Sequence, residues 1–490
     1  LPYHTGSNES LNLARKWLRN CTIHHGVCCA SQDEIFRPSR LLYLENDSVC
    51  IHTTRDMPKR VSYLTLSHCW GKLHIIRLLK SNEQSFQQNL PWAYLPKTFQ
   101  DAIRITRHLG FSYLWIDSLT IIQDSSEDWN HEAKLMGKIY KNAACNIAAS
   151  DAPDSRHGCL YPRNPRTLQP EVVRLKTDDE KYLINETDIY DNHILYTRAW
   201  VLQEALLARR TLDCGRGQLF WRCGEMRASE VFPGGVPTNV YHEDHPASKF
   251  KAISAEQDQI MLNRYTDAPF AFWASIVEQY TEMGITKDTD RIIALAGITD
   301  VFRPFFGEHC FGMWRIFMPL ELLWGAGRTK QPSTTRAPSW SWLSIEGPVF
   351  YSNCEFKYGR DGLVTQFIDA EMTGEHGMQL RLSTPLLRAK WGSWTDATRS
   401  GSICSIEGIS DDYAIIYFDH WSDPGDFLPA EDIFCMCIQI HKEYRKTRTM
   451  GLVLEEVEHG VFRRLGHFSS NGELIIPFLK QTPTRALILV

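Results

Sequence analysis

Tyr113-Leu114-Trp115-Ile116-Asp117-Ser118-Leu119-Thr120-Ile121-Ile122-Gln123-Asp124 is the stretch on which the reading of this chain turns. An apolar run carries two carboxylates, Asp117 and Asp124, to where a buried strand should surface. Immediately upstream, 96–109 reads as an amphipathic helix, with Pro96 at its first position and Phe99, Ala102, Ile103 and Thr106 on one face. Gly110 closes it. Helix, glycine, apolar strand, then acid and hydroxyl is how an α/β sheet presents polar groups at its carboxyl edge.

The neighbouring segments extend that pattern. Residues 61–67 predict a strand ending in Ser67-His68-Cys69-Trp70-Gly71, and 127–140 a helix with Trp129, Ala133, Met136, Ile139 and Tyr140 inward. A small-residue strand follows at 145–150. Strand, helix, strand, helix, strand predicts a mainly parallel central sheet flanked by helices. Before it, Leu11, Ala14, Leu18, Cys21, His25 and Cys28 form one stripe of a helix that Ser10 can cap. After it, 151–197 reads as a long surface insertion and 198–207 as a helix. Residues 211–213 and 219–221 form a hairpin around Gly215 and Gly217, and 225–257 is a polar boundary or long loop. Residues 273–324 read as helical. Beyond Pro338-Ser339-Trp340-Ser341-Trp342 the chain is β-rich, with strands at 413–418, 433–440 and 451–457 suited to a small antiparallel sandwich or barrel. Four parts result: an N-terminal helical segment (1–40), an α/β domain (41–225), a helical segment (226–335) and a β-rich C-terminal domain (336–490).

At 490 residues the chain exceeds one ordinary core, and 43% hydrophobic content with 15 Trp is globular. A net charge of −5 offers no electrostatic footprint for nucleic acid or an anionic membrane surface. No apolar run approaches the ~20 residues that span a bilayer. The 14 Cys lack the dense spacing of a disulfide scaffold, and Cys145, Cys435 and Cys437 sit in apolar strands as small hydrophobes. A reducing, cytoplasmic location is the expectation, although a start at Leu1 rather than Met leaves room for a processed N-terminal piece.

Four constellations carry chemistry. Cys21, His25 and Cys28, with Cys29 adjacent, offer soft ligands for zinc, but a structural site wants four and no finger-type pair follows; the same positions continue a core stripe. His68 and Cys69 suggest a thiol with a base, yet neighbours on a strand point to opposite faces. Asp117 and Asp124 fit a catalytic or metal-binding pair and ordinary strand-end capping equally, and Ser67 and Ser118 carry the same ambiguity. Arg198, Trp200, Gln203 and Glu204 lie on one helix, where Trp200 and Glu204 share a face. An aromatic plate, an amide and a carboxylate can hold a flat polyhydroxylated ligand and stabilise an oxocarbenium-like centre. An Arg198–Glu204 ion pair with Trp200 in the core explains the same residues structurally. No Walker A, G-x-G-x-x-G after a strand, G-x-S-x-G or H-E-x-x-H sequence is present.

In order, Tyr63–Gly71 (numbers 63–71), Leu95-Pro96-Lys97-Thr98-Phe99-Gln100-Asp101-Ala102-Ile103 running on to Tyr113–Leu119 (113–119), then Met136, Ile139, Tyr140, Asn142 and Ala143, and finally Arg198-Ala199-Trp200-Val201-Leu202-Gln203-Glu204, resemble the fungal heterokaryon incompatibility (HET) domain family. The Cys-His-Cys helix and Ala337-Pro338-Ser339-Trp340-Ser341-Trp342 look like the usual flanks. Thr120 stands where the family often has Cys, which argues against a shared thiol nucleophile there. The resemblance implies a role in non-self recognition on hyphal fusion and in regulated cell death. It also implies a distant likeness to Toll/interleukin-receptor (TIR) domains, with a TIR-like or flavodoxin-like sheet. Some TIR domains cleave NAD through a Glu in a Trp-Cys-Leu-x-Glu-Leu-like helix, and Trp200–Leu206 (200–206) is similar, which puts Glu204 in that role. Ser67, Trp70, Asp117, Ser118, Arg198, Trp200 and Gln203 are then the candidate substrate-binding set, with NAD or a related nucleotide as substrate and no resident cofactor. Two other readings stay open. One is a non-catalytic module that self-associates or recruits an incompatibility partner protein; the other is a HET scaffold recruited to secondary metabolism.

Overall fold

The computed structural model describes residues 1–29, 36–44, 48–58, 61–72, 75–168, 171–174, 181–184, 193–237, 268–327, 329–330, 336–351, 362–373, 377–394, 402–407, 413–419, 432–443, 446–471 and 475–490. They fall into two compact units, Leu1–Gln257 with Ile293–Ile298, and Asp258–Ile292 with Thr299–Val490.

The first unit is built on a mixed eight-stranded sheet. Its strands are β1 (Arg40–Tyr43), β2 (Cys50–Thr53), β3 (Leu64–Ser67), β4 (Tyr113–Trp115), β5 (Cys145–Ala148), β8 (Arg210–Cys214), β9 (Leu219–Cys223) and β10 (Arg227–Ser229). A separate hairpin, β6 (Glu171–Arg174) with β7 (Lys181–Ile184), interrupts the series. The sheet order is β10-β9-β8-β5-β3-β4-β1-β2. β4, β3, β5 and β8 are mutually parallel, while antiparallel strands flank them on both sides. The mainly parallel expectation therefore holds for the centre only, because short hairpins add the edge strands without a crossover. In chain order the four parallel strands are arranged second, first, third, fourth, as in doubly wound flavodoxin-type sheets. The winding reverses at β3/β5.

Helices precede the strands and, between the parallel ones, make the crossovers. They are α1 (Asn8–His24), α2 (Gly26–Cys29), α3 (Glu83–Gln88), α4 (Lys97–Leu109), α5 (Asp117–Thr120), α6 (Ser126–Asn142) and α7 (Ala199–Leu207). On α4, Phe99, Ala102, Ile103, Ile105, Thr106 and Leu109 are buried, and Gly110 ends the helix at φ 90°, a left-handed conformation that costs glycine little. β4 is only three residues long, because Asp117 already opens α5. Ser7, not Ser10, caps α1; Ser10 donates instead to Glu230 Oε1 at 2.6 Å. Leu11, Ala14, Trp17, Leu18 and Cys21 share one core with Leu64, Leu66 and Leu114 of the sheet. The expected surface insertion is buried at its start: Ala152, Cys159 and Leu160 join that core, held by Asp101 Oδ2 accepting the Cys159 N–H at 3.1 Å. β10 lies inside the polar stretch 225–257, of which 238–257 is outside the described residues.

The expected helical region resolves into helices Ala268–Glu282, in the second unit, and Arg291–Phe306, of which 293–298 belong to the first unit. Beyond Phe306 the chain to Trp324 forms short bridges and 3-10 turns around Trp314, whose ring meets those of Trp273 and Phe306 edge to face. The C-terminal strands Met378–Trp394, Ser402–Ile406, Tyr413–Phe418, Val461–Asn471, Lys446–Glu458 and Asp432–Glu443 pair successively, and the last pairs back with the first. Of the two predicted alternatives, this is the barrel. Residues 331–335 and 420–431, among others, lie outside the described residues.

One buried ion pair holds the edge of the first sheet. Arg222 donates through Nε to Asp213 Oδ2 at 2.7 Å and through Nη2 to Oδ1 at 3.0 Å, and Tyr196 OH bonds to both partners. Removing one member leaves a charge without its partner in a dry environment. Arg222→Met is expected to lower the unfolding free energy of this unit by about 3–5 kcal/mol. Urea denaturation read by Trp fluorescence measures it, and a loss below about 1 kcal/mol would mean the pair is not what holds the edge.

Candidate functional site

The winding reversal at β3/β5 is where a doubly wound sheet opens a crevice at its carboxyl edge. Ser67 closes β3, opposite Ala148 of β5 in parallel register, and Asn146 lies opposite Thr65. Thr65 Oγ1 donates to Asn146 Oδ1 at 3.0 Å, and Asn146 Nδ2 donates to Ser67 Oγ at 2.9 Å. Ser67 Oγ also lies 3.2 Å from Asn146 Oδ1, to which its hydroxyl donates, so the two side chains fix each other across the strands.

Glu204 stands beside the Ser67 hydroxyl. The carboxyl is buried at 7% residue exposure, and burial is the main reason it is pushed up to about 7. The Ser67 hydroxyl opposes the shift, the Asp117 charge adds to it, and Arg198 and the Tyr140 hydroxyl oppose it. Four segments far apart in the chain thus meet at one carboxyl: the end of β3, the start of α5, the end of α6 and α7. Tyr140 is buried, and burial followed by the Glu204 and Asp117 charges drives its phenol well up, so it stays a donor. Arg198 Nη1 donates to the His68 carbonyl at 2.6 Å, which pins the guanidinium beside the strand end.

Asp117 faces the same region from the first position of α5. Its Oδ2 accepts Trp70 Nε1–H at 2.8 Å and its Oδ1 accepts the Ser118 N–H at 2.6 Å. His68 Nδ1 stands 3.8 Å from Asp117 Oδ1, and burial lowers the imidazole's proton affinity, so the ring is neutral. Its edge-to-face packing on Phe99, with centroids 4.9 Å apart, marks His68 as a core residue. Burial likewise pushes the Cys69 thiol up, which removes it as a nucleophile. Thr120 Oγ1 donates to the Ile116 carbonyl at 2.8 Å.

The remaining candidates fall into other surroundings. Asp124 accepts the Lys80 N–H at 2.9 Å and serves as a loop clasp, not as the partner of Asp117. Ser118 is buried on α5, and its carbonyl accepts the Leu78 N–H at 2.8 Å. Trp200 is half-buried and meets Trp129 edge to face at 6.3 Å. Gln203 is buried, with Oε1 turned toward Gly297 of the same unit, where an added Cβ would stand 2.7 Å away. Sequence reasoning had Tyr140 only as a packing residue and missed Asn146; a polar side chain in a strand of small apolar residues was the available signal.

Among the described residues, one group has metal-ligand chemistry. Cys21, His25 and Cys28 are joined by Cys223, and their four donor atoms lie within 4.8 Å of one another. The sequence reading, which favoured core packing, stops at three donors because the fourth arrives at the end of β9, 198 residues from His25.

A doubly wound α/β unit with its polar residues gathered at the winding reversal is the class this geometry defines. Residues 63–204 match the family model described as Heterokaryon incompatibility protein (HET), so the chain carries a HET domain. The match runs from the strand that carries Ser67 to Glu204 itself. No curated protein and no solved structure matches the chain.

The raised Glu204 carboxyl has a stability consequence whose sign is fixed. Between the ordinary 4.5 and about 7 the native state keeps a proton that the unfolded chain has released. Stability from this group is therefore full below about pH 4.5 and is lost as pH rises through 7. Glu204→Gln should remove that loss, so that from about pH 5 to pH 8 the variant gains on the parent by on the order of 3 kcal/mol. Chemical denaturation of both proteins at the two pH values gives the difference. Parallel pH profiles would show that Glu204 ionises normally.

Proposed function

We propose that this HET domain cleaves the N-glycosidic bond of NAD or a related nucleotide. The observation that carries the proposal is a buried carboxyl poised at about 7, with a serine hydroxyl, a second carboxylate and a guanidinium around it at the winding reversal. A group with that proton affinity exchanges protons near neutrality. As a carboxylate in a dry site it also favours a developing positive charge more than water does.

In the proposed step the bond from ribose C1′ to the nicotinamide nitrogen breaks, and its electron pair leaves with nicotinamide. The oxocarbenium left on the ribose faces the Glu204 carboxylate. Water adds to C1′ and surrenders a proton, through Glu204, to solvent; the products are nicotinamide, ADP-ribose and a proton. Ser67 and Asp117 hold ribose hydroxyls, Arg198 supplies the positive charge beside them, and the half-buried Trp200 stacks on the substrate. Trp70 acts through Asp117, which it holds in place. The similarity of residues 200–206 to the essential helix of NAD-cleaving TIR domains supports the assignment. In this reading the chain acts in the cytoplasm, and nucleotide loss drives regulated cell death after non-self contact.

The same burial also fits a second reading, in which the Glu204 network is purely structural and the module works by self-association or partner recruitment. Incubating the purified chain with NAD and measuring nicotinamide by chromatography separates the two. Release is expected to rise about tenfold per pH unit below 7 and to level off above it. Glu204→Gln should cut it at least about 100-fold. No nicotinamide from the parent, or undiminished release from the variant, leaves the non-catalytic reading standing; that reading further requires Glu204→Gln to trigger death as the parent does.

A further inference from the structure

Cys21 lies in the last turn of α1, His25 caps it, Cys28 lies on α2, and Cys223 ends β9. The His25 Nδ1 to Cys223 Sγ distance is 3.3 Å, and Cys21, Cys28 and Cys223 are all buried. Zinc bound at about 2.3 Å to sulfur and 2.0–2.1 Å to nitrogen needs a tetrahedron with edges of about 3.5–3.8 Å. Four donors within 4.8 Å of one another fit that figure after a small contraction.

The surroundings are those of thiolates rather than of apolar thiols. The Gly224 N–H donates to Cys28 Sγ at 3.2 Å, the Met226 N–H to Cys223 Sγ at 3.3 Å, and Arg210 Nε to Cys21 Sγ at 3.0 Å. Arg210 is itself buried at 4% exposure. Among the described residues its guanidinium faces Cys21 Sγ, Cys29 Sγ at 3.6 Å and the carbonyls of Cys28 and Ala144, with no carboxylate in ion-pair reach. A buried cation needs an anionic counterpart. Three thiolates and a neutral imidazole around Zn²⁺ carry a net charge of −1, which Arg210 balances. A disulfide does not meet these observations: the cysteines are free, and pairing two would strand a third thiol and the imidazole.

We propose that Cys21, His25, Cys28 and Cys223 bind one zinc ion. Four protein donors complete the coordination sphere and leave no open position, so the ion is structural. It fastens the corner between α1 and α2 to the β9 end of the sheet, closing a loop of nearly the whole unit. All four ligands lie outside the matched residues 63–204, and the site is independent of any chemistry at Glu204.

Metal analysis of the full chain, purified under reducing conditions without chelator, is expected to give one zinc per chain. After chelator treatment, Co²⁺ should titrate to one equivalent with the intense visible bands of tetrahedral thiolate coordination. Cys223→Ser and His25→Ala should each weaken metal binding by at least about tenfold. Cys29→Ser, which removes the neighbouring exposed thiol outside the donor set, should keep the full equivalent. A parent chain that holds no zinc and takes up neither Zn²⁺ nor Co²⁺ overturns the proposal, and so does full binding by Cys223→Ser. The parent titration decides the matter even where a variant fails to fold.

Discussion

The HET domain is organised around the cost of keeping one carboxyl group out of water. A buried carboxylate is expensive unless polar groups surround it, and those that act on Glu204 come from separate elements: the Ser67 hydroxyl from β3, the Tyr140 hydroxyl from α6, and the Arg198 charge from the start of α7. Each is in turn fixed by the sheet. Ser67 is oriented by Asn146 across the β3/β5 pairing, Tyr140 packs edge to face on Trp115 of β4 at 5.7 Å, and Arg198 is tied to the His68 carbonyl. The strand order is therefore more than a frame for the site. Only where the third parallel strand returns beside the first do Ser67 and Asn146 become neighbours.

A second polar cluster does comparable work at the sheet's other extremity in the chain. α1 packs its Leu11-Ala14-Trp17-Leu18 stripe on the same core as the parallel strands, so hydrophobic burial already docks it. The stripe does not end with apolar residues, however. It runs into Cys21, His25 and Cys28, where the partners are Cys223, main-chain N–H groups and a buried guanidinium. Apolar burial is non-directional and tolerates small slips; donor atoms converging from α1, α2 and β9 do not. The N-terminal helix is thus positioned by packing and locked in register by polar contacts.

Much of this was legible in the residues. The α4–β4 unit, α6, α7 and the β8–β9 hairpin follow from periodicity and from Gly110, since each is decided by local spacing. The carboxyl-edge rule and the family blocks, not spacing, are what group Ser67, Asp117 and Glu204 in the sequence. Features decided by distant partners stayed hidden. Ser10 looks like a cap until Glu230 is beside it, and Asp124 looks like a second active carboxylate until Lys80 takes it. Tyr140 reads as a packing residue, and Asn146 is marked only by being a polar side chain among small apolar ones. Cys223 is invisible as a ligand because an irregular spacing of 198 residues matches no finger-type pattern. The barrel closes through one long-range pairing, Leu386–Lys390 (386–390) with 432–436, which no strand announces in its own sequence.

The electrostatics around Glu204 bear on the substrate proposed for it. The Asp117 charge raises the cost of ionising Glu204. Asp117 is held by two N–H donors and remains partly solvated, while Glu204 receives hydroxyls in a dry setting. An anionic group brought between them would deepen the conflict. A cationic centre would relieve it, lowering the proton affinity of Glu204 as it arrives and strengthening as the charge grows. Such a site gains most from a substrate whose positive charge moves toward the carboxylates as a bond breaks. Nicotinamide riboside, whose ring nitrogen hands its charge to ribose C1′ on departure, has that property, and a neutral sugar without a charged leaving group does not.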